Sequence, residues 1–205
     1  MWALEDVVLQ LPSGLVRPPL SATFAPGVTL VCGDEGTGKS TLLRVLADET
    51  VRQQVVRAGR VLAPKASDLP PQALLAQQVF LMDPADTRAM DGGVRDYWQA
   101  QAQRYPDWRD DVLQDLVQKL GLSEHVHKSL FMLSTGSRRK VMLAASIASQ
   151  APLVLWDQPF ASLDLASIQV LKAVLNSAAT DQRAFVVADY VAPEGVTLIQ
   201  TLDLA

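Results

Sequence analysis

The residues with the plainest chemical purpose are Gly33, Asp34, Glu35, Gly36, Thr37, Gly38, Lys39, Ser40 and Thr41. This glycine-rich run follows the apolar stretch 28–32 and opens the helix-prone segment 42–47. A triphosphate is polyanionic and needs several convergent donors at close range. Backbone N–H groups supply them, and glycines let the backbone approach where a Cβ would block it. A helix beginning near Lys39 aims its free N–H groups and the positive end of its dipole at the phosphates. In this phosphate-loop pattern Lys39 reaches the terminal phosphates and Ser40 offers its hydroxyl to magnesium. Asp34 and Glu35 add negative charge nearby, and their side chains are expected to face outward while the backbone binds.

Two further segments complement that loop. Residues 151–157 form an apolar strand ending in Asp157, a carboxylate placed to hold magnesium opposite a phosphate loop. Upstream, Leu133, Ser134, Thr135, Gly136 and Ser137 place a hydroxyl and a glycine where a helix starts. Such a start is a second site for phosphate oxygens or, taken alone, a helix cap.

The elements that must position these groups follow from hydrophobic periodicity. Short apolar segments at 7–9, 28–32, 79–81, 153–156 and 185–187 predict strands, several buried on both faces. Helical spacing covers 95–104, 110–120, 138–149 and 165–178, with Ser134 and Asp164 as caps. The alternation implies an α/β fold with a mostly parallel sheet and its ligand at the carboxyl ends of the strands. Strand signals vanish between Asp83 and Leu133, which predicts a helical insertion, and Pro18-Pro19 and Pro70-Pro71 mark loops.

Composition narrows the function. With 49% apolar and 20% charged residues the 205-residue chain is globular, and a net charge of -4 argues against a general electrostatic grip on nucleic acid. No apolar run approaches the ~20 residues needed to span a bilayer, and the acidic start has no basic leader, so a cytoplasmic chain is expected. The single cysteine, Cys32, precludes an internal disulfide and reads as a small core residue. His125 and His127 lack a third ligand nearby and are expected at the surface. Tyr97, Trp98, Tyr105 and Trp108 build the core of the insertion or, if exposed, a docking patch. Arg138, Arg139 and Lys140 read as a solvated helix face.

In order, these segments resemble the nucleotide-binding subunits of ATP-binding cassette (ABC) transporters over nearly the full chain. Residues 133–137 look like the family's signature, Pro159, Phe160, Ala161, Ser162, Leu163 and Asp164 like the stretch into its D-loop, and Gly59, Arg60 and Val61 like its antiparallel edge hairpin. The resemblance implies a P-loop NTPase of α/β class, with antiparallel edge strands beside the parallel sheet. It implies one ATP-binding domain over 1–205, with a helical subdomain at about 84–135 inserted in a core of 1–83 plus 136–205. The implied cofactors are ATP and Mg2+, the metal held by Ser40 and Asp157. The implied partners are a second cassette, identical or different, and a transmembrane permease, which places the chain on the cytoplasmic face of the membrane. Each ATP would lie between Lys39 and Ser40 of one cassette and Ser134 and Gly136 of the other.

The chain departs from that pattern where cleavage is performed. Gln158 stands where the family has a glutamate that polarises water, and Ala188 matches the position of a histidine that contacts the γ-phosphate. Met82, with Asp83 beside it, occupies the Q-loop glutamine position. Arg17, and less well Trp2, are candidates to stack on adenine. Several departures at separate places suggest natural divergence rather than one engineered change. Losing a general base costs about 10²–10⁴ in rate, so ATP binding is expected to survive better than hydrolysis. Two functions follow: a transporter subunit with slow turnover, or a degenerate regulatory or assembly module paired with an intact cassette. A small-molecule kinase would not explain residues 134–140, and no Asn-Lys-x-Asp segment is present to read guanine.

Overall fold

The structure, a computed structural model, describes residues 1–64, 76–86 and 92–205. The loop expected at Pro70-Pro71 lies outside the described residues. The chain opens with β1 (Trp2–Leu9), β2 (Leu20–Phe24) and β3 (Gly27–Cys32), then α1 (Lys39–Ala47), α2 (Glu49–Val55) and β4 (Val56–Leu62). After β5 (Val79–Met82) come three helices, α3 (Val94–Arg104), α4 (Asp110–Lys119) and α5 (Thr135–Ala148). The remainder is β6 (Leu153–Asp157), α6 (Leu165–Ser177), β7 (Ala184–Ala188) and β8 (Gln200–Asp203).

The parallel sheet has the order β5-β6-β7-β3-β8, and the antiparallel strands form a separate sheet, β2-β1-β4. They are therefore not edges of the parallel sheet. β3 is already hydrogen-bonded on both sides, to β7 and β8, so the hairpin must pack over the sheet instead. Alternation explains why both faces are apolar. Leu153 and Leu155 join a core shared with α1 and the antiparallel sheet, whereas Val154 and Trp156 join one shared with the helices.

The expected helices form, with α5 starting three residues earlier than its apolar periodicity indicated. Ser134 fixes that start by accepting a hydrogen bond from Ser137 N at 3.1 Å, and Asp164 does the same for α6 through Ser167 N at 2.8 Å. α2 and β8 carry weak apolar signals and escape periodicity. α2 has no buried residue and is held by its Asp48 cap, while β8 buries only Leu202.

Between β5 and β6 no strand occurs among the described residues. The aromatic residues there fasten the insertion to the sheet as well as filling it. Trp98 Nε1 donates to Val141 O at 3.0 Å, and the Tyr105 hydroxyl donates to Val79 O at 2.8 Å. The Tyr105 ring stacks on Phe80 with centroids 5.2 Å apart. Tyr97 and Trp108 pack half-buried against the same core. Cys32 is half-buried at the end of β3, its thiol facing Leu202 O at 3.7 Å, so it is not a fully enclosed core residue.

Arg183 joins α5 to the sheet. Its guanidinium donates to Ala151 O, Ile147 O and Ser146 O at 3.0–3.1 Å and lies over the Phe185 ring. Burial pulls its pKa down to about 10. Arg183→Met strands three carbonyls and is expected to cost about 2–4 kcal/mol in urea unfolding. Nucleotide affinity of the folded fraction should be unchanged, because Arg183 does not line the nucleotide-sized cavity described next.

Candidate functional site

Val31, Ala188 and Asp157 are level across β3, β7 and β6, so the loop after β3 and the carboxylate ending β6 emerge at the same edge. Gly38 turns that loop into α1 with φ 103°, a region that L side chains avoid. A Cβ there would also meet Leu11 Cδ2 at 2.8 Å. Leu42 N then donates to Gly38 O at 2.8 Å, which starts the helix. Leu42, Leu43, Val45 and Leu46 are fully buried and anchor α1 under the loop.

The buried Lys39 side chain folds along the loop, Nζ donating to Gly33 O at 2.6 Å and Asp34 O at 2.8 Å. Asp34 and Glu35 are exposed, as expected. A cavity of 380 Å³ opens here, lined by Glu35, Gly36, Gly38, Lys39, Ser40, Thr41 and Gln158, by Leu11, Pro12 and Ser13 of the β1–β2 connection, and by Tyr190. Thr37 braces the loop through a hydrogen bond from Oγ1 to Asp34 O at 2.9 Å.

Asp157 is only 5% exposed, and its Oδ1 has no hydrogen-bond partner. Burial pushes its carboxyl above the usual range, a hydrogen bond from Ser40 opposes this, and Asp83 reinforces it. Ser40 and Asp157 thus present oxygen ligands at one point, with one buried oxygen unspent. That donor set fits a hard divalent cation such as Mg2+.

Gln158 follows with φ 48°, and its N donates to Ala188 O at 2.9 Å, which turns the residue out of β6 to the cavity wall. Its amide cannot take a proton from water. Ala188 is level with Asp157 on the sheet face toward α1, and its methyl is fully buried and carries no polar group. The side chains at this corner are Asp189 and Tyr190, which motif reading passed over. The Asp189 carboxyl is pushed up by burial, an effect countered by its bond to Tyr190 N and by Lys39 and Arg139. The Tyr190 ring lies over Lys39 Nζ, 4.4 Å from the centroid.

Arg139 also corrects the sequence reading. It is 7% exposed, donates to Ala161 O and sits within the electrostatic reach of Asp157 and Asp189. Lys140 bonds Leu120 O at 3.1 Å and pairs with Asp164. The supposed solvated face therefore fastens α5 to the segment after Gln158. Gly136 completes the fastening, because a Cβ there would lie 2.3 Å from Ser162 O. Ser134 is exposed at the start of α5, and neither it nor Gly136 lines the cavity of its own chain.

The remaining candidates resolve as follows. Met82 is buried, and Asp83 bonds Arg44 Nε at 2.8 Å, so the position is taken by an ion pair. Trp2 is 3% exposed in the core and is not available to stack on a base. Arg17 is half-exposed and does not line the cavity. His127 is exposed and His125 half-buried, and no cluster of metal-ligating side chains occurs among the described residues. Nor is any helix of the described residues long and apolar enough to cross a membrane.

The sequence matches the family model described as ABC transporter over residues 19–161. It is 32% identical over 200 residues to the vitamin B12 import ATP-binding protein BtuD of Citrobacter koseri, covering 93% of this chain and 76% of that protein. An uncharacterised ABC transporter ATP-binding protein of Haemophilus influenzae is 29% identical over 172 residues, covering 82% of this chain and 66% of that protein. Among solved structures, an ATP-binding subunit of an ABC transporter superposes with a TM-score of 0.80 at 16% identity, covering 93% of this chain and 80% of that one. The last similarity speaks to fold.

The unspent charge of Asp157 has a measurable signature. Its raised pKa means that the folded chain holds this proton more tightly than the unfolded chain. The group therefore favours folding at low pH, and that advantage is lost as pH rises through the unfolded and then the folded value, leaving a cost at neutral pH. Asp157→Asn is expected to raise the unfolding midpoint of the nucleotide-free chain at pH 7, on the order of a few degrees. The same change should abolish the stabilisation that Mg2+ adds to ATP. Scanning calorimetry with and without Mg-ATP reads both effects.

Proposed function

This chain belongs to the ABC transporter family as an ATP-binding subunit, and from that premise we propose that it binds Mg-ATP tightly and cleaves it slowly. The observation that carries this reading is one cavity lined by Lys39, Ser40 and Gln158, with Asp157 held to Ser40 and Gln158 where a proton acceptor would be needed. Backbone N–H groups of 33–38 and the start of α1 hold the phosphates, and Lys39 exchanges its loop carbonyls for phosphate oxygens. Ser40 and Asp157 would hold Mg2+, which when bound would supply positive charge against the phosphates. Gln158 orients a water by hydrogen bonding but does not take its proton, so positioning remains and base catalysis is lost.

The arrangement also calls for a second cassette. Ser134 and Gly136 stand away from their own chain's cavity, so in a head-to-tail pair they meet the partner's nucleotide. The helical region at 84–135 is the part of the domain that faces a membrane-spanning permease, with the chain at the cytoplasmic face. Relatives named as import ATP-binding proteins favour a transport subunit over a purely regulatory or assembly module.

Binding and hydrolysis of Mg-ATP measured side by side test the proposal. Lys39→Ala is expected to weaken binding by more than about tenfold, the loss of charge-assisted hydrogen bonds. Gln158→Glu, assayed with the natural partner, is expected to raise turnover by about 10²-fold or more. Unaltered protein that already turns over as fast as Gln158→Glu would refute slow cleavage. Absence of Mg-ATP binding to the folded chain would refute the site itself.

A further inference from the structure

Among the described residues Tyr190 is the only aromatic side chain lining the phosphate-loop cavity, and no motif in the sequence accounts for it. We propose that Tyr190 reads the terminal phosphate, its phenol hydroxyl donating to the γ-phosphate of a nucleoside triphosphate seated on Lys39. The inference rests on the nucleotide site above and adds to it a residue that selects triphosphate over diphosphate.

Three observations converge on this assignment. Position comes first: Tyr190 leaves the carboxyl edge of the sheet two residues after Ala188, which is level with Asp157. Its N donates to Asp189 Oδ1 at 2.8 Å, which fixes the turn. The second is contact. The ring stands 4.4 Å over Lys39 Nζ, the atom that marks the phosphate end of the cavity. The third is exposure, because 48% of Tyr190 is open to solvent. Packing does not hold the ring there, whereas the ammonium does. An uncharged O–H donor at that place adds a hydrogen bond to phosphate without adding a second charge to satisfy. Ala188 has no polar group and is fully buried, whereas Tyr190 lines the cavity and carries a hydroxyl.

Isothermal titration of the full chain with Mg-ATP, Mg-ADP and Mg-tripolyphosphate separates this role from base stacking. Tyr190→Phe keeps the ring over Lys39 and removes only the hydroxyl. It is expected to weaken Mg-ATP and Mg-tripolyphosphate by about tenfold while leaving Mg-ADP unchanged. Tyr190→Ala should show at least the same loss for ATP relative to ADP, with an unaltered unfolding midpoint because the residue is exposed. An equal loss for ATP and ADP would mean that the ring packs on the base or merely shields the loop, and would overturn the assignment. So would no loss in Tyr190→Phe. Failure of the unaltered chain to bind any of the three overturns the nucleotide site itself, an outcome distinct from ATP binding without selectivity.

Discussion

A carboxylate kept out of water with one oxygen unsatisfied is the constraint around which this molecule is arranged. Asp157 ends a strand whose every residue is buried, so its charge lies where the dielectric is low and water is absent. Such a group is unfavourable in isolation. Ser40, Lys39 and Arg44 oppose the effect, and the N-terminus of α1 adds a fixed dipole. A divalent cation on the free Asp157 oxygen would complete that balance. The electrostatics that oppose maximal stability are the same ones that make a metal cation welcome.

That division explains why binding and cleavage can part company here. The groups proposed to hold a triphosphate are backbone amides, a lysine and a carboxylate on rigid elements. The group that would accept a proton is a single side chain at a strained turn, and there the chain has an amide. Compared with a glutamate, Gln158 carries one negative charge fewer next to Asp157, so on the proposed reading weaker chemistry and easier phosphate occupancy have one source.

Much of this was legible in the sequence because the site is built from local motifs. The run 33–41, the strand ending at Asp157 and the cap at Ser134 each declare themselves within a few residues, and the structure brings the first two to one edge as alternating βα order requires. What stayed hidden depends on which way a side chain turns at a junction. Arg139 looked solvated beside two other cations, yet the helix phase buries it under the 158–164 segment. Tyr190 belongs to no motif and gains meaning only from lying over Lys39. The placement of the antiparallel strands in a sheet of their own was equally illegible, since it follows from β3 being bonded on both sides by distant segments.

The placement of β3 also shapes how the polypeptide reaches its native state. Gly27 pairs with Ala184 and Thr29 with Gln200, so the strand beneath the phosphate loop finds both neighbours near the end of the chain. Pairings so distant in sequence carry a high loop-closure entropy and form late. During synthesis the N-terminal half emerges with an apolar strand whose two edges have no native mates. A ribosome that stops before β7 and β8 therefore leaves the strand beneath the phosphate loop without either of its neighbours.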